Sequence, residues 1–419
     1  MKKTTQSVYK KTTLDNGIRI ITETIPYVHS VSVGFWVNTG SRDESPRVNG
    51  ISHFIEHMAF KGTNKYSSAQ IAKQIEGYGG YLNAFTGKEA TCYYSKILDE
   101  HVPRTVDVLS ELVFNPKLKK EDIEKEKMVV LEEIKNIEDD PEEFIHDYFD
   151  EVLFQNHSAG NPVIGTAKNV REFQKDDIIQ YLKTHYRPEN IIVAAAGNIQ
   201  HDKLVSLVEK TSSAFKPEKH FTYQRKSSTI KRKHSLIRED KPIQQAHICL
   251  GNISYSIKSK YRYPLVIMNT LIGEGMSSRL FQNIREKYGF SYSIGSFLNM
   301  LSDIGSFGVY SGTDKKNIQK SIDLIFKEFD NLKKNPVKTA ELERVKSQVK
   351  GTIMLSLESM SSRMMRLATS EIYFNEYFTL ETIIKQLDAV TSDDVMEVAH
   401  KILNREKFSV VIFSPLNSK

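Results

Sequence analysis

His53, Glu56 and His57 spell H-F-I-E-H inside the apolar stretch 51–60. At roughly 100° per residue all three side chains leave one arc of a helix, with Glu56 about 60° to one side of His53 and His57 about 40° to the other. Two imidazoles at i and i+4 can therefore hold one cation. Neutral imidazole nitrogens suit Zn²⁺, and a catalytic zinc takes three protein ligands and keeps its fourth position for water. A carboxylate beside those ligands, but not on the metal, can accept a proton from that water, which is the role Glu56 fits. With 12 His and 52 acidic residues in 419, composition alone supplies roughly 0.04 copies of H-x-x-[DE]-H. The bland alternative is a pair of solvated helix-surface histidines, so the third ligand has to decide.

The segment 121–140, EDIEKEKMVVLEEIKNIEDD, offers several acids. Its apolar stripe is Ile123, Val130, Ile134 and Ile137, which fall within about 60° of one another on a helical wheel. Glu126 and Glu133 flank that stripe, whereas Glu132 lies opposite it and joins Glu124 and Glu138 on the solvated face. Glu133 can thus reach a buried site. Glu126, two turns earlier on the same edge, is placed to hydrogen-bond a ligand histidine from behind the metal.

The run GISHFIEHMAFKGT, with Glu133 76 residues after His57 and Glu126 seven before that, resembles the pitrilysin family of inverted-motif zinc peptidases, to which insulin-degrading enzyme and the mitochondrial processing peptidase belong. The resemblance covers essentially the whole chain, and the length is similar to that of the short, processing-peptidase-like bacterial branch. It implies His53, His57 and Glu133 as zinc ligands, one Zn²⁺ per chain, Glu56 as the base and Glu126 as the supporting acid. It also implies a use for REKYGFSY, whose Arg285 and Tyr292 would hold the substrate carbonyl and the oxyanion formed at it. Without the resemblance these are a surface helix residue and a strand aromatic. LNAFTGKE looks like the family's edge strand, where Asn83, Ala84, Phe85 and Thr86 would pair with an extended peptide by β-augmentation.

The implied activity is that of a zinc metalloendopeptidase acting on peptides or unfolded, presequence-like segments bound as an added strand in an enclosed cleft. The rival is a non-catalytic processing-peptidase-like subunit serving assembly or substrate docking. Relatives of that kind have lost zinc ligands or the Arg and Tyr pair, and this sequence keeps both. A homodimer is the simplest closed assembly, with a heteromer containing a non-catalytic paralogue as the alternative.

These residues need elements to position them. LDNG at 14–17 reads as a hairpin turn between strands, and strands over 18–23 and 30–41 follow. Helices are expected at 51–60, 67–78, 105–114, 121–137, 142–154 and 176–185, with a strand pair at 80–98 and a closing strand at 190–199. The polar, basic stretch from 215 to 235 has no apolar periodicity and reads as a linker. After it the order recurs: a strand from 246, helices at 263–272 and 277–288, strands over 291–313, long helices and a last strand at 408–415. FNPKLKKEDIEKEK and KNPVKTAELERVKS match around Pro116 and Pro336, which supports a duplication. The expected architecture is α+β, two homologous halves arranged as a clamshell, each an antiparallel sheet covered by helices: a zinc half 1–214, a linker 215–235 and a degenerate half 236–419. The helix YPLVIMNTLIG of the second half has neither histidine nor acid, and GEG at 273–275 lacks the lysine of a phosphate loop.

Composition narrows the classes further. The net charge is +6 and basic residues are dispersed except at 225–233, which is not a nucleic-acid footprint. No run of 18 apolar residues occurs, so no membrane span is expected. Residues 1–14 lack acids but carry Lys instead of Arg and no apolar core, unlike a transit or signal peptide. Cys92 and Cys249 stand in apolar strand-like runs as free thiols of a reducing compartment would. The cytoplasm is therefore expected, with an organelle matrix as the alternative.

Overall fold

The computed structural model describes residues 8–215, 225, 230 and 234–416. Most of the expected linker, 215–235, lies outside the described residues. The chain forms two compact units, the first from Met1–Ile134, Asn161–Lys226 and Leu355–Tyr377, the second from Lys135–Gly160, Ser227–Met354 and Phe378–Lys419.

The first unit is built on six strands: β1 (Val8–Thr13), β2 (Arg19–Thr24), β3 (Ser30–Val37), β4 (Tyr81–Thr86), β5 (Thr91–Leu98) and β6 (Ile191–Gly197), in the spatial order β1-β2-β6-β3-β5-β4. β1 and β2 form the hairpin expected from LDNG, with Thr13 opposite Arg19 and Gly17 at φ 97°, a conformation open to glycine but strained for most residues. The second unit has five: β7 (Leu236–Lys241), β8 (Ala246–Ser254), β9 (Ser291–Met300), β10 (Gly305–Thr313) and β11 (Ser409–Pro415), in the order β7-β11-β8-β10-β9. Matching β2, β6, β3, β5 and β4 to β7, β11, β8, β10 and β9 gives one topology twice. Both sheets are predominantly antiparallel, and each holds one parallel pair, β2 with β6 and β7 with β11. The duplication expected from the two proline-led helices is thus repeated strand by strand.

The units are not contiguous halves of the sequence. β6 is buried along its whole length, so it needs cover on both faces, and one cover comes from far along the chain. Ile192, Ala194 and Ala196 meet Met364, Leu367 and Ala368 of helix Met360–Phe374. The small alanines let that helix come close. In the second unit, helix Pro141–Leu153 packs Ile145 and Phe149 against Cys249, Val411 and Phe413. Each unit therefore takes one helix from the other half of the sequence, which moves 135–160 and 355–377 across the expected boundary. Both cysteines are free and buried. Among the described residues no helix is long and apolar enough to cross a membrane.

Candidate metal site

The site lies within the first unit and starts from helix Ile51–Ala59, which follows β3. Its N-terminus is fixed by a residue that the motif does not contain. Glu44 Oε2 accepts from the Gly50 and Asn49 side of the turn (Gly50 N, 2.7 Å; Asn49 Nδ2, 2.8 Å), and Oε1 accepts from Ser52 N at 2.8 Å. A carboxylate there satisfies otherwise unpaired amides of the first turn. Gly50 sits at φ 95°, and a Cβ on it would lie 2.6 Å from the Ile164 carbonyl oxygen, so the turn into the helix requires glycine. Ser52 Oγ also bonds the buried Tyr181 hydroxyl at 2.8 Å, and Phe54 packs on Phe173.

This framework aims two imidazoles at one carboxylate. His53 Nε2 lies 3.7 Å and His57 Nε2 3.5 Å from the two oxygens of Glu133, which comes from helix Lys120–Asp139. One ligand atom from each of the three falls within 4.8 Å of the others, and they are the one such group of three among the described residues. Four-coordinate zinc with bonds of about 2.0–2.2 Å sets neighbouring ligand atoms about 3.3–3.6 Å apart, so the set fits a zinc ion. Glu132, as its place on the wheel predicts, is exposed.

Glu126 is buried on the same helix and takes the hydrogen bond from His57 Nδ1 at 2.8 Å, which turns Nε2 toward Glu133. Its other oxygen is 2.6 Å from Lys61 Nζ. Burial alone would raise the Glu126 pKa, but the bonds and charges of His57 and Lys61 outweigh it, and the carboxyl is held below its ordinary value. Burial, with His57 adding to it, brings His53 down to about 4, so this imidazole is neutral at physiological pH, as a metal ligand must be. On His57 burial opposes the charge, yet Glu126, Glu133 and Glu56 together raise the pKa.

Glu56 stands beside the three. Its Oε2 accepts from Thr86 Oγ1 at 2.5 Å, and Thr86 is the last residue of β4, the outermost strand of the sheet. Burial raises the Glu56 pKa, with the Thr86 bond and His57 opposing and Glu133 adding. On β4, Asn83 and Phe85 face outward, Phe85 edge-on to Trp36, while Ala84 is buried with its amide bonded to Asn83 Oδ1 at 2.9 Å. Arg285 and Tyr292 belong to the second unit. Arg285 lies on a helix that widens into a π turn at Phe281–Glu286, with its guanidinium carbon 4.7 Å from the Phe281 ring centre and 5.8 Å from that of Tyr292, which is 75% exposed.

Sequence reasoning missed Glu44 and Lys61. Lys61 follows His57 by four residues, a spacing that could have suggested a shared acid. Glu44 left one signal, an acid just ahead of a glycine-led helix start. Arg225, which opens the basic run, binds Asp43 through its guanidinium at 2.7 Å.

Residues 19–167 match the family described as Insulinase (Peptidase family M16), and residues 172–349 match the Peptidase M16 inactive domain. The chain is 38% identical to the uncharacterized zinc protease YmxG of Bacillus subtilis, over 97% of this chain and 98% of that one. An uncharacterized zinc protease of Streptomyces coelicolor is 36% identical over 98% and 90%. In fold, the chain is similar to a protease from Helicobacter pylori (TM-score 0.92, 23% identity, 98% of this chain and 100% of that one). It is also similar to a peptidase M16 inactive domain from Pseudomonas fluorescens (TM-score 0.88, 17% identity, 98% and 99%).

Proposed function

The chain belongs to the insulinase family of peptidases, M16, and from that premise we propose that it is a zinc metalloendopeptidase cleaving peptides and unfolded or presequence-like segments. The observation that carries this reading is the convergence of His53, His57 and Glu133 with Glu56 alongside and bonded to the edge strand. His53, His57 and Glu133 would hold one Zn²⁺. When bound, zinc supplies Lewis acidity, drawing electron density from a water and from the scissile carbonyl.

The chain's own groups do the rest. Thr86 holds one oxygen of Glu56, so the other is left to take a proton from the attacking water and pass it to the leaving amine. A carboxyl raised by burial lies nearer the operating pH for both transfers. Glu126, neutralised by Lys61, keeps the His57 ring turned with Nε2 forward. Asn83, Ala84, Phe85 and Thr86 on β4 would bind the substrate through its main chain, which explains tolerance of many sequences. Arg285 and Tyr292 are assigned, on the family resemblance, to the substrate carbonyl and its oxyanion. The match of residues 172–349 to an inactive domain supports one metal set per chain. We further assign the protein to the cytoplasm, as a homodimer.

The test is elemental analysis of purified protein together with digestion of a mixed peptide library with and without chelator. About one zinc per chain and loss of cleavage on chelation are expected. Active protein free of zinc, or full activity in excess chelator, overturns the reading.

A further inference from the structure

In the second unit a groove of about 930 Å³ runs between helix Ile318–Lys334 and strands β7 and β11. Its floor is apolar, from Leu236, Ile322, Phe326, Val410 and Ile412, and its rim is basic, from Arg238, Lys315, Lys316, Lys333 and Arg405, with Glu406 the one acid among its lining residues. The first unit shows what such a space holds. There β2, β6 and helix Val102–Phe114 stand where β7, β11 and helix Ile318–Lys334 stand in the second, and helix His201–Ser212 packs on β2 and on helix Val102–Phe114. It buries Leu204 and Val208 and ties His201 to the Thr12 and Thr22 hydroxyls at 2.8 and 2.9 Å. Leu109 of helix Val102–Phe114 and Val193 and Ala195 of β6 are sealed at 0% exposure.

Among the described residues no helix takes the equivalent place in the second unit. Val410, Ile412, Ile322 and Phe326 keep 5–7% exposure, and Leu236 keeps 67%. We propose that this groove receives an amphipathic helix of a partner protein, its apolar stripe on the Leu236–Phe326 floor and acidic residues along both edges. The duplication itself gives the shape, since β2 and helix Val102–Phe114, two of the three equivalent elements, bind a helix in the first unit. The rim supplies the charge. Lys333, Arg405 and Lys316 touch Asp330, Asp323 and Asp314 at 2.9, 3.2 and 3.8 Å, but these are solvent-facing pairs worth little and easily exchanged. Among the described residues the Arg238 guanidinium bonds the Ser414 hydroxyl, at 3.1 Å. Helix-in-groove recognition with charged flanks needs no more than this. The basic rim disfavours the basic, presequence-like segments proposed as substrates, so the partner is of a different class.

The probe is a stapled, fluorescent helical peptide with the apolar spacing of Leu204, Leu207 and Val208 and glutamates at its flanking positions, beside a twin carrying lysines there. Each is titrated against the intact chain by fluorescence anisotropy. The acidic helix is expected to bind, more weakly as salt rises, and the lysine twin to bind far less. Leu236→Asp, and separately Arg238→Glu with Arg405→Glu, should each weaken binding by about tenfold or more, with unchanged circular dichroism and unchanged peptide hydrolysis. The proposal fails if neither peptide binds, if both bind alike, or if both variants bind as the parent does. It also fails if sedimentation shows self-association that Leu236→Asp abolishes, which would make the occupant a second copy of the chain.

Discussion

Helix Ile51–Ala59 and helix Arg262–Gly273 stand at the same step of one topology, each following the strand paired with the centre of its sheet and each packing against the outermost strand, β4 or β9. The second is buried almost without a break from Pro264 to Gly273. The first keeps His53, Glu56 and His57 half-open, and His53 Nδ1 is buried without a hydrogen-bond partner among the described residues. The fold itself asks only for an apolar helix at this step. The polar trio is a local loss of stability that the first unit offsets with Glu44 on the amides and Glu126 behind His57, the relation expected between a candidate functional site and its scaffold.

The substitution with the largest expected effect removes the chemistry from the first helix and leaves the fold. Glu56→Gln should lower turnover by about 10²–10⁴-fold while zinc content stays near that of the parent, measured by peptide hydrolysis and elemental analysis on one sample. His57→Ala should lose the metal. Turnover of the Gln variant within a few fold of the parent would show that Glu56 is not the base.

Next come the exchanged helices, which set interleaved units against contiguous halves. Phe149→Ala should destabilise by about 3–5 kcal/mol and Leu367→Ala by about 2–5 kcal/mol, because each empties a buried position against a sheet from the other half of the sequence. Chemical denaturation measures both. Losses well under 1 kcal/mol would mean that these helices are not holding the sheets.

What could be read from the sequence follows the range of the interactions. His53, Glu56 and His57 share one helix, and Glu126 and Glu133 share another, so helical periodicity alone was enough to sort them from Glu132. The destinations of helices Pro141–Leu153 and Met360–Phe374 could not be read, because an amphipathic pattern says that a face is buried but not which sheet buries it. β7 escaped for another reason: LIREDK carries charges on an edge strand, where natural sheets use them to discourage further pairing, and so it shows no apolar alternation that marks a strand. Glu44 reaches its helix across a loop, and no period marks such a contact.

That cap gives the third test. Glu44→Gln replaces an acceptor oxygen by an amide that cannot accept, leaving one of the Gly50 or Ser52 amides unmet, for about 1–3 kcal/mol. Burial pushes the Glu44 carboxyl from 4.5 up to about 7, although the Ser52 and Gly50 amides pull it down. The folded chain thus binds the proton more tightly than the unfolded one between these values. This group's contribution is full below 4.5 and is lost as pH rises toward 7. Unfolding free energies measured across that window should therefore fall with pH in the parent, and the Gln variant should flatten that part of the slope. An identical slope in both would remove Glu44 as its source.

The smallest expected effects lie where the two helices meet their edge strands. In the first unit the contact joins two side chains, Thr86 Oγ1 to Glu56 at 2.5 Å; in the second, Ser296 Oγ bonds the Asn269 main-chain oxygen at 2.9 Å. On the proposed function the same junction would orient a reacting group in one unit and serve packing in the other. Thr86→Val should lower kcat by about tenfold with KM little changed, since Glu56 loses the bond that turns it, and Thr86→Ser, which restores a hydroxyl, should recover most of it. Ser296→Ala should cost about 1 kcal/mol of stability and leave turnover per folded chain unaltered. If Thr86→Val instead raised KM alone, Thr86 would be holding substrate and not Glu56; if Ser296→Ala changed kcat, the second junction would not be purely structural.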